Sequence, residues 1–193
     1  QIKTDEKIKK VGIMGGTFDP IHYGHLVTAE AARGEFSLDQ VLFLPSGVPL
    51  HKDPQQLSDT KHRYTMTVLA TLTNPFFDVS RIDIDREGPT YTIDALNILR
   101  NQYGFNTQLF FITGADAILD ILGWKDPESL LDLAEFIAAT RPGFQLEKQG
   151  DVIRHWFEQK QGRLHLLQVP AMAISSTDIR RRVCHRQSIR YLV

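Results

Sequence analysis

Residues 11–30 read VGIMGGTFDPIHYGHLVTAE. Val11 to Met14 form an apolar run of the kind seen in a strand buried on both faces. Gly15 and Gly16 let a ligand approach the backbone, and Asp19-Pro20 breaks the chain before a helix opens at Gly24. A strand, glycines and a helix N-terminus together make an anion site, because first-turn N–H groups lack helical partners and the helix dipole is positive there. His22 and His25 stand three apart and reach one side of the same pocket. The combination points to nucleotide chemistry.

The same rhythm continues outward. Strand-like runs occupy Val11–Met14, Val41–Leu44, Phe77–Ile84, Leu109–Thr113, Phe136–Thr140 and Leu164–Val169. Helical patterns lie between and after them, at Gly24–Glu35, Asp59–Leu72, Thr92–Gln102, Asp116–Ile121 with Ser129–Leu133, Val152–Gln161 and Ser176–Val183. Such alternation predicts an α/β fold, a Rossmann-like doubly wound parallel sheet in a single domain. The domain is expected over residues 10–193, behind a polar extension at 1–9. In open sheets of this kind ligands bind beyond the carboxyl ends of the strands, near the reversal of strand order. Polar or glycine-bearing loops follow all six: Gly15-Gly16-Thr17, Pro45–Lys52, Arg86–Thr92, Gly114-Ala115-Asp116, Arg141-Pro142-Gly143 and Ser175-Ser176-Thr177.

Composition excludes several classes. The chain has 193 residues, 42% of them hydrophobic, and a net charge of −1. No apolar run approaches the roughly 18 residues of a membrane span. The charge balance speaks against a general nucleic-acid binder, although Arg180-Arg181-Arg182, His185, Arg186 and Arg190 gather enough cations for a local anion site. The N-terminal QIKTDEKIKK lacks the apolar core of a secretory signal, so a cytoplasmic location is expected; the lone Cys184 suits a reducing compartment and reads as an incidental thiol.

Each candidate residue has a plain reading beside a chemical one. His22 and His25 can be metal ligands, a phosphate clamp or ordinary helix-start residues. No third ligand stands at a metal-site spacing, and the preceding Gly-Gly-Thr-Phe-Asp-Pro favours the clamp. There the imidazoles donate hydrogen bonds to phosphoryl oxygens without being permanent cations. Ser175, Ser176 and Thr177 can be a common N-cap, but three hydroxyls before Arg180 also suit a polyphosphate tail. Lys52 is either a solvated loop lysine or a mobile phosphate ligand. The segment ending in Tyr91-Thr92 is a capped turn or a seat for a small planar acid. Asp116 caps its helix or accepts from a ribose diol, and Trp124 is core or a stacking platform. Asp83 and Asp85 alternate along the expected third strand and are assigned to its solvated face, with no role.

Taken together, Gly15–His25 resembles the signature of the HxGH nucleotidyltransferase superfamily, and Ile174–Arg180 resembles its second, ATP-phosphate motif. More narrowly, Pro49–Lys52, Arg86–Asp94, Phe110–Asp116, Trp124, Arg141-Pro142-Gly143 and Ser175–Arg180 make the chain similar to bacterial nicotinate-nucleotide adenylyltransferases over nearly its whole length. The resemblance implies transfer of AMP from ATP to nicotinate mononucleotide. It implies His22, His25 and Arg180 as catalytic groups, and an ATP site built from Gly15, Gly16, Thr17, Phe18, His22, His25, Gly114, Asp116, Ser175, Ser176, Thr177 and Arg180. Lys52, Tyr91, Thr92, Trp124 and Arg141 would meet the nicotinate nucleotide, and Mg2+ would ride mainly on the ATP phosphates with no dedicated protein metal site. No nucleic-acid or membrane partner is implied, and a homo-oligomer is compatible. Leu50 replaces the second proline usual in that loop, and the chain stops at Val193 where relatives usually continue into a helix. Transfer to nicotinamide mononucleotide or phosphopantetheine, and a non-catalytic adenine-nucleotide sensor, remain as alternatives.

Overall fold

The computed structural model describes residues 9–49, 53, 56–140, 148–170 and 172–193. Six strands run parallel in one sheet: β1 (Lys9–Gly16), β2 (Gln40–Pro45), β3 (Phe77–Val79), β4 (Thr107–Gly114), β5 (Glu135–Thr140) and β6 (Leu164–Gln168). Their spatial order is β3-β2-β1-β4-β5-β6, so the winding reverses between β1 and β4. The doubly wound sheet expected from the alternation is therefore present, and its crevice opens beyond Gly16 and Gly114.

The helices are α1 (Tyr23–Phe36), α2 (Thr60–Thr71), α3 (Ile82–Asp85), α4 (Thr92–Tyr103), α5 (Ala115–Leu119), α6 (Pro127–Leu133), α7 (Lys148–Gln159) and α8 (Ser176–Cys184). They cover both faces of the sheet. Val11, Ile13, Leu109 and Phe111 pack with Leu96 and Leu99 of α4, Ile118 of α5 and Phe157 of α7. Met14, Phe110 and Ile112 point the other way, toward Ala29 and Ala32 of α1. Central strands buried on both sides explain the unbroken apolar runs in the sequence.

Two local expectations need correction. The third strand was expected over Phe77–Ile84, but only Phe77–Val79 pairs with β2. Ser80 Oγ then accepts the Ile82 N–H (3.2 Å) and the chain turns into α3. The period-2 reading fails with it: Asp83 is only 4% exposed, whereas Asp85 lies outside and pairs with Arg81 at 2.7 Å.

Helix α2 inverts the usual pattern. Its buried residues are Arg63, Thr67 and Thr71, while Leu69 is exposed. Thr67 Oγ1 donates to the Arg63 carbonyl (2.8 Å) and Thr71 Oγ1 to that of Thr67 (2.9 Å), so the inward hydroxyls are satisfied along the helix itself. Among the described residues no helix is long and apolar enough to cross a membrane.

Candidate active site

Two clefts meet at the reversal point. The first, about 560 Å3, is bordered by Gly15, His22, His25, Asp116, Ser175 and Ser176. The second, about 830 Å3, takes in Gly16, Thr17, Ser46, Tyr91, Thr92 and Trp124. Gly15 at the end of β1 and Thr113 near the end of β4 line both. Two ligands seated in these clefts would face one another across the tips of the central strands.

Local sequence builds the histidine pair. His22 is the N-cap of α1 in extended conformation, and its backbone N–H donates to His25 Nδ1 at 3.2 Å. In a neutral ring that bond leaves the hydrogen of His25 on Nε2, which becomes the donor. The two rings stack at 3.8 Å between centroids. Gly24 makes room for this, since a Cβ there would stand 2.9 Å from His22 Cε1 and Nδ1. Behind His25 sits Phe18, edge-on at 5.1 Å. Its ring is 2% exposed and lines neither cleft, so Phe18, expected on the ATP side, acts on the site from within the core.

The hydroxyl motif is divided among tasks. Ser175 Oγ caps α8 by accepting from the Asp178 N–H (3.1 Å), the plain reading of that residue. Ser176 Oγ donates to the Pro20 carbonyl (2.8 Å) and so ties α8 to the turn before α1. Thr177 Oγ1 accepts from Arg180 at 3.4 Å. Arg180 does not join the histidines in the first cleft; its guanidinium donates to the Asp19 carbonyl (2.6 Å) and borders a separate apolar groove. Gly114 and Asp116 stand together at the first cleft beside the histidines, and Gly16 and Thr17 border the second cleft rather than the first.

In the second cleft, Trp124 stands edge-on to Phe111 at 6.0 Å, with its partly buried ring on the cleft wall. Helix α4 begins at Thr92 with Tyr91 as an N-cap that makes no side-chain bond to the helix. Among its first-turn amides the Asp94 N–H donates to the Tyr91 carbonyl (3.1 Å), while those of Thr92 and Ile93 precede any intrahelical acceptor. Lys125 Nζ lies 4.4 Å above the Tyr91 ring and 3.2 Å from Asp94, which also pairs with Arg86 at 3.5 Å.

Asp83 was missed by sequence reading because its burial depends on the turn into α3. Loss of hydration pushes its carboxyl up to about 6; the nearby Arg86 guanidinium opposes that rise and Asp94 adds to it. A carboxyl raised from its unfolded 3.8 to about 6 binds more protons in the folded state between those values, so it favours folding at acid pH and loses that contribution as pH rises through 6. Between pH 4 and 7 the Asp83→Asn protein is expected to gain roughly 2 kcal/mol on the native protein. Urea unfolding of both at the two pH values checks this, and parallel pH curves would refute it.

Arg63 was missed for a similar reason. It is 1% exposed, and nothing in the apolar periodicity of α2 marks it as inward; the Arg63, Thr67, Thr71 row at four-residue spacing is the only hint in the sequence. Lys52 and Arg141, both expected at the substrate, lie outside the described residues. Among the described residues no group of three or more His, Cys, Asp or Glu is arranged to hold a metal ion.

Residues 13–182 match the family model described as cytidylyltransferase-like. A protein from Moorella thermoacetica named probable nicotinate-nucleotide adenylyltransferase is 58% identical over 95% of this chain and 85% of its own. A protein of the same name from Thermoanaerobacter sp. is 54% identical over 97% and 89%. Among solved structures, the nicotinic acid mononucleotide adenylyltransferase of Plasmodium falciparum complexed with NaAD matches with a TM-score of 0.73 at 22% identity, covering 94% of this chain and 87% of that one. That last likeness is one of fold.

Proposed function

The chain belongs to the cytidylyltransferase-like family and, within it, to the nicotinate-nucleotide adenylyltransferases, and from that membership we propose how its two clefts divide the reaction. It transfers AMP from ATP to nicotinate mononucleotide, giving nicotinate adenine dinucleotide and pyrophosphate. ATP occupies the first cleft and the nicotinate nucleotide the second. The observation that carries this assignment is the meeting of both clefts at Gly15 and Thr113 beside the stacked histidines.

The nucleophile is a phosphate oxygen of nicotinate mononucleotide, already ionised at neutral pH, so no general base is required. A new bond forms from that oxygen to the α-phosphorus of ATP as the bond from the α-phosphorus to the α,β-bridging oxygen breaks. The leaving pyrophosphate carries away the electron pair. Two anions must be held in line, and charge grows on the leaving group, so positioning and hydrogen-bond donation do the work. His25 Nε2–H and His22 donate to phosphoryl oxygens, helped by the α1 N-terminus. Among the described residues Asp116 is the single carboxylate bordering the first cleft, which fits a Mg2+ that takes most of its ligands from phosphates and water and neutralises their charge when bound. The family resemblance makes Lys52 and Arg141 further cations for the phosphates, whereas Arg180, bonded to the Asp19 carbonyl, would reach them only by leaving it.

Selectivity for the acid over the amide follows from the start of α4. First-turn N–H groups at Thr92 and Ile93 donate to a pyridine carboxylate, whereas a carboxamide would turn its NH2 toward donors. Trp124 offers a face for the ring. The test is Mg2+-dependent pyrophosphate release with ATP and, separately, nicotinate mononucleotide, nicotinamide mononucleotide and phosphopantetheine. Release strongly favouring the nicotinate nucleotide is expected. Equal use of acid and amide would defeat the selectivity claim, and ATP binding without release in any mixture would make the protein a sensor.

A further inference from the structure

Arg63 has all five of its N–H donors engaged. Nε donates to the Ser58 carbonyl (3.1 Å), one terminal nitrogen to the carbonyls of Thr17 and Ser46 (both 2.8 Å), and the other to the Gly47 carbonyl (3.1 Å) and Thr60 Oγ1 (3.0 Å). Five is the full donor complement of a guanidinium. Four acceptors are backbone carbonyls from three separate segments: the loop after β1, the loop after β2 and the approach to α2. Burial presses the guanidinium below its ordinary value, while Asp19 and Asp59 partly offset that. Asp19, itself 1% exposed, accepts from the Ser58 N–H (3.3 Å) and lies 4.0 Å from Arg180.

The geometry points to Arg63 as a positioning residue, which locks the loop after β1 to the loop after β2 and so fixes how the two clefts are aligned. Thr17 and Ser46, whose carbonyls it holds, both border the second cleft, and Thr17 follows the Gly15 that the clefts share. The Ser46 N–H to Gly16 carbonyl bond (2.9 Å) is a direct link between those loops, and Arg63 braces it from beneath. A buried cation also lies under the strand tip where phosphates are proposed to gather. No shorter or less forked side chain meets five acceptors in this arrangement; lysine keeps the charge but offers three donors from a single atom.

The inference rests on the division of substrates proposed above, so its test has an arm that needs no turnover. In Arg63→Lys, amide hydrogen exchange is expected to rise about tenfold or more at residues 16–18 and 46–48 while the central strands stay protected. With both substrates present, kcat is expected to fall by about 30-fold or more with each KM within about threefold, because misalignment costs the reacting geometry more than either binding step. A kcat within about threefold of the native protein, or exchange raised evenly over the whole molecule, would overturn the inference. If the native protein releases no pyrophosphate, the reaction proposal fails and the exchange arm alone decides on Arg63. If Arg63→Lys does not fold, Thr60→Val, which removes one of the five acceptors, decides instead. It should lower kcat by about threefold at unchanged KM, and an unchanged kcat would count against the clamp.

Discussion

Replacing His25 with alanine is expected to lower kcat by about 10²–10³-fold with little change in the KM for either nucleotide, the loss characteristic of a donor that meets charge only in the transition state. The expectation comes from the way the ring is held. Its Nδ1 accepts the His22 N–H, the Phe18 ring supports it edge-on, and His22 stacks against it at 3.8 Å. A ring fixed on three sides needs no reorganisation as the pyrophosphate departs. Steady-state kinetics with saturating ATP checks this; near-normal turnover would remove His25 from the chemistry.

A methyl group at Gly47 is the second change expected to have a large effect. The added Cβ would stand 2.2 Å from the Asp83 carbonyl oxygen and 3.2 Å from its carbon, both backbone atoms that cannot rotate away. Either the loop after β2 or α3 has to move. Both border the second cleft, and the same contact region holds the Thr90 N–H to Val48 carbonyl bond (2.9 Å) that presents the segment leading into α4. Gly47→Ala is therefore expected to cost about 1–3 kcal/mol of stability and about 10²-fold in kcat/KM for the nicotinate nucleotide. Gly34→Ala is the control: nothing lies within 4 Å of its Cβ position in α1, and it should be neutral or slightly stabilising. Equal behaviour of the two variants would show that the loop yields without consequence.

The two predictions draw on different depths of information. His25 was legible in the chain because its partners are neighbours in sequence: a strand, two glycines and a helix start all fall within residues 11–30. The same holds for Ser175 and Ser176 beside the start of α8, and for Thr92 at the start of α4. Gly47 was not legible as a contact, because the atom it must avoid belongs to Asp83, which the sequence reading placed on the solvated face of the third strand. The turn is closed by the Ile84 and Asp85 N–H groups donating to the Arg81 carbonyl (both 2.8 Å) and by the Ile82 N–H donating to Ser80 Oγ, bonds that leave no mark on apolar periodicity.

Alternation of apolar runs and helical patterns determined the α/β class and, through the connection rules of parallel sheets, the rim on which the polar loops collect. The motif around His22 and His25 determined where the two rings stand, because the geometry of a helix N-terminus is set locally. Tertiary structure alone decided which side chains lose their water. Arg63 lies inward on a helix whose leucine at 69 faces solvent, Asp83 is buried by the turn into α3, and Arg180 is drawn to the Asp19 carbonyl rather than to the histidines. Desolvation and hydrogen-bond saturation are sums over atoms brought from distant parts of the chain. No window of sequence contains them until the sheet has placed the loops after β1 and β2 side by side.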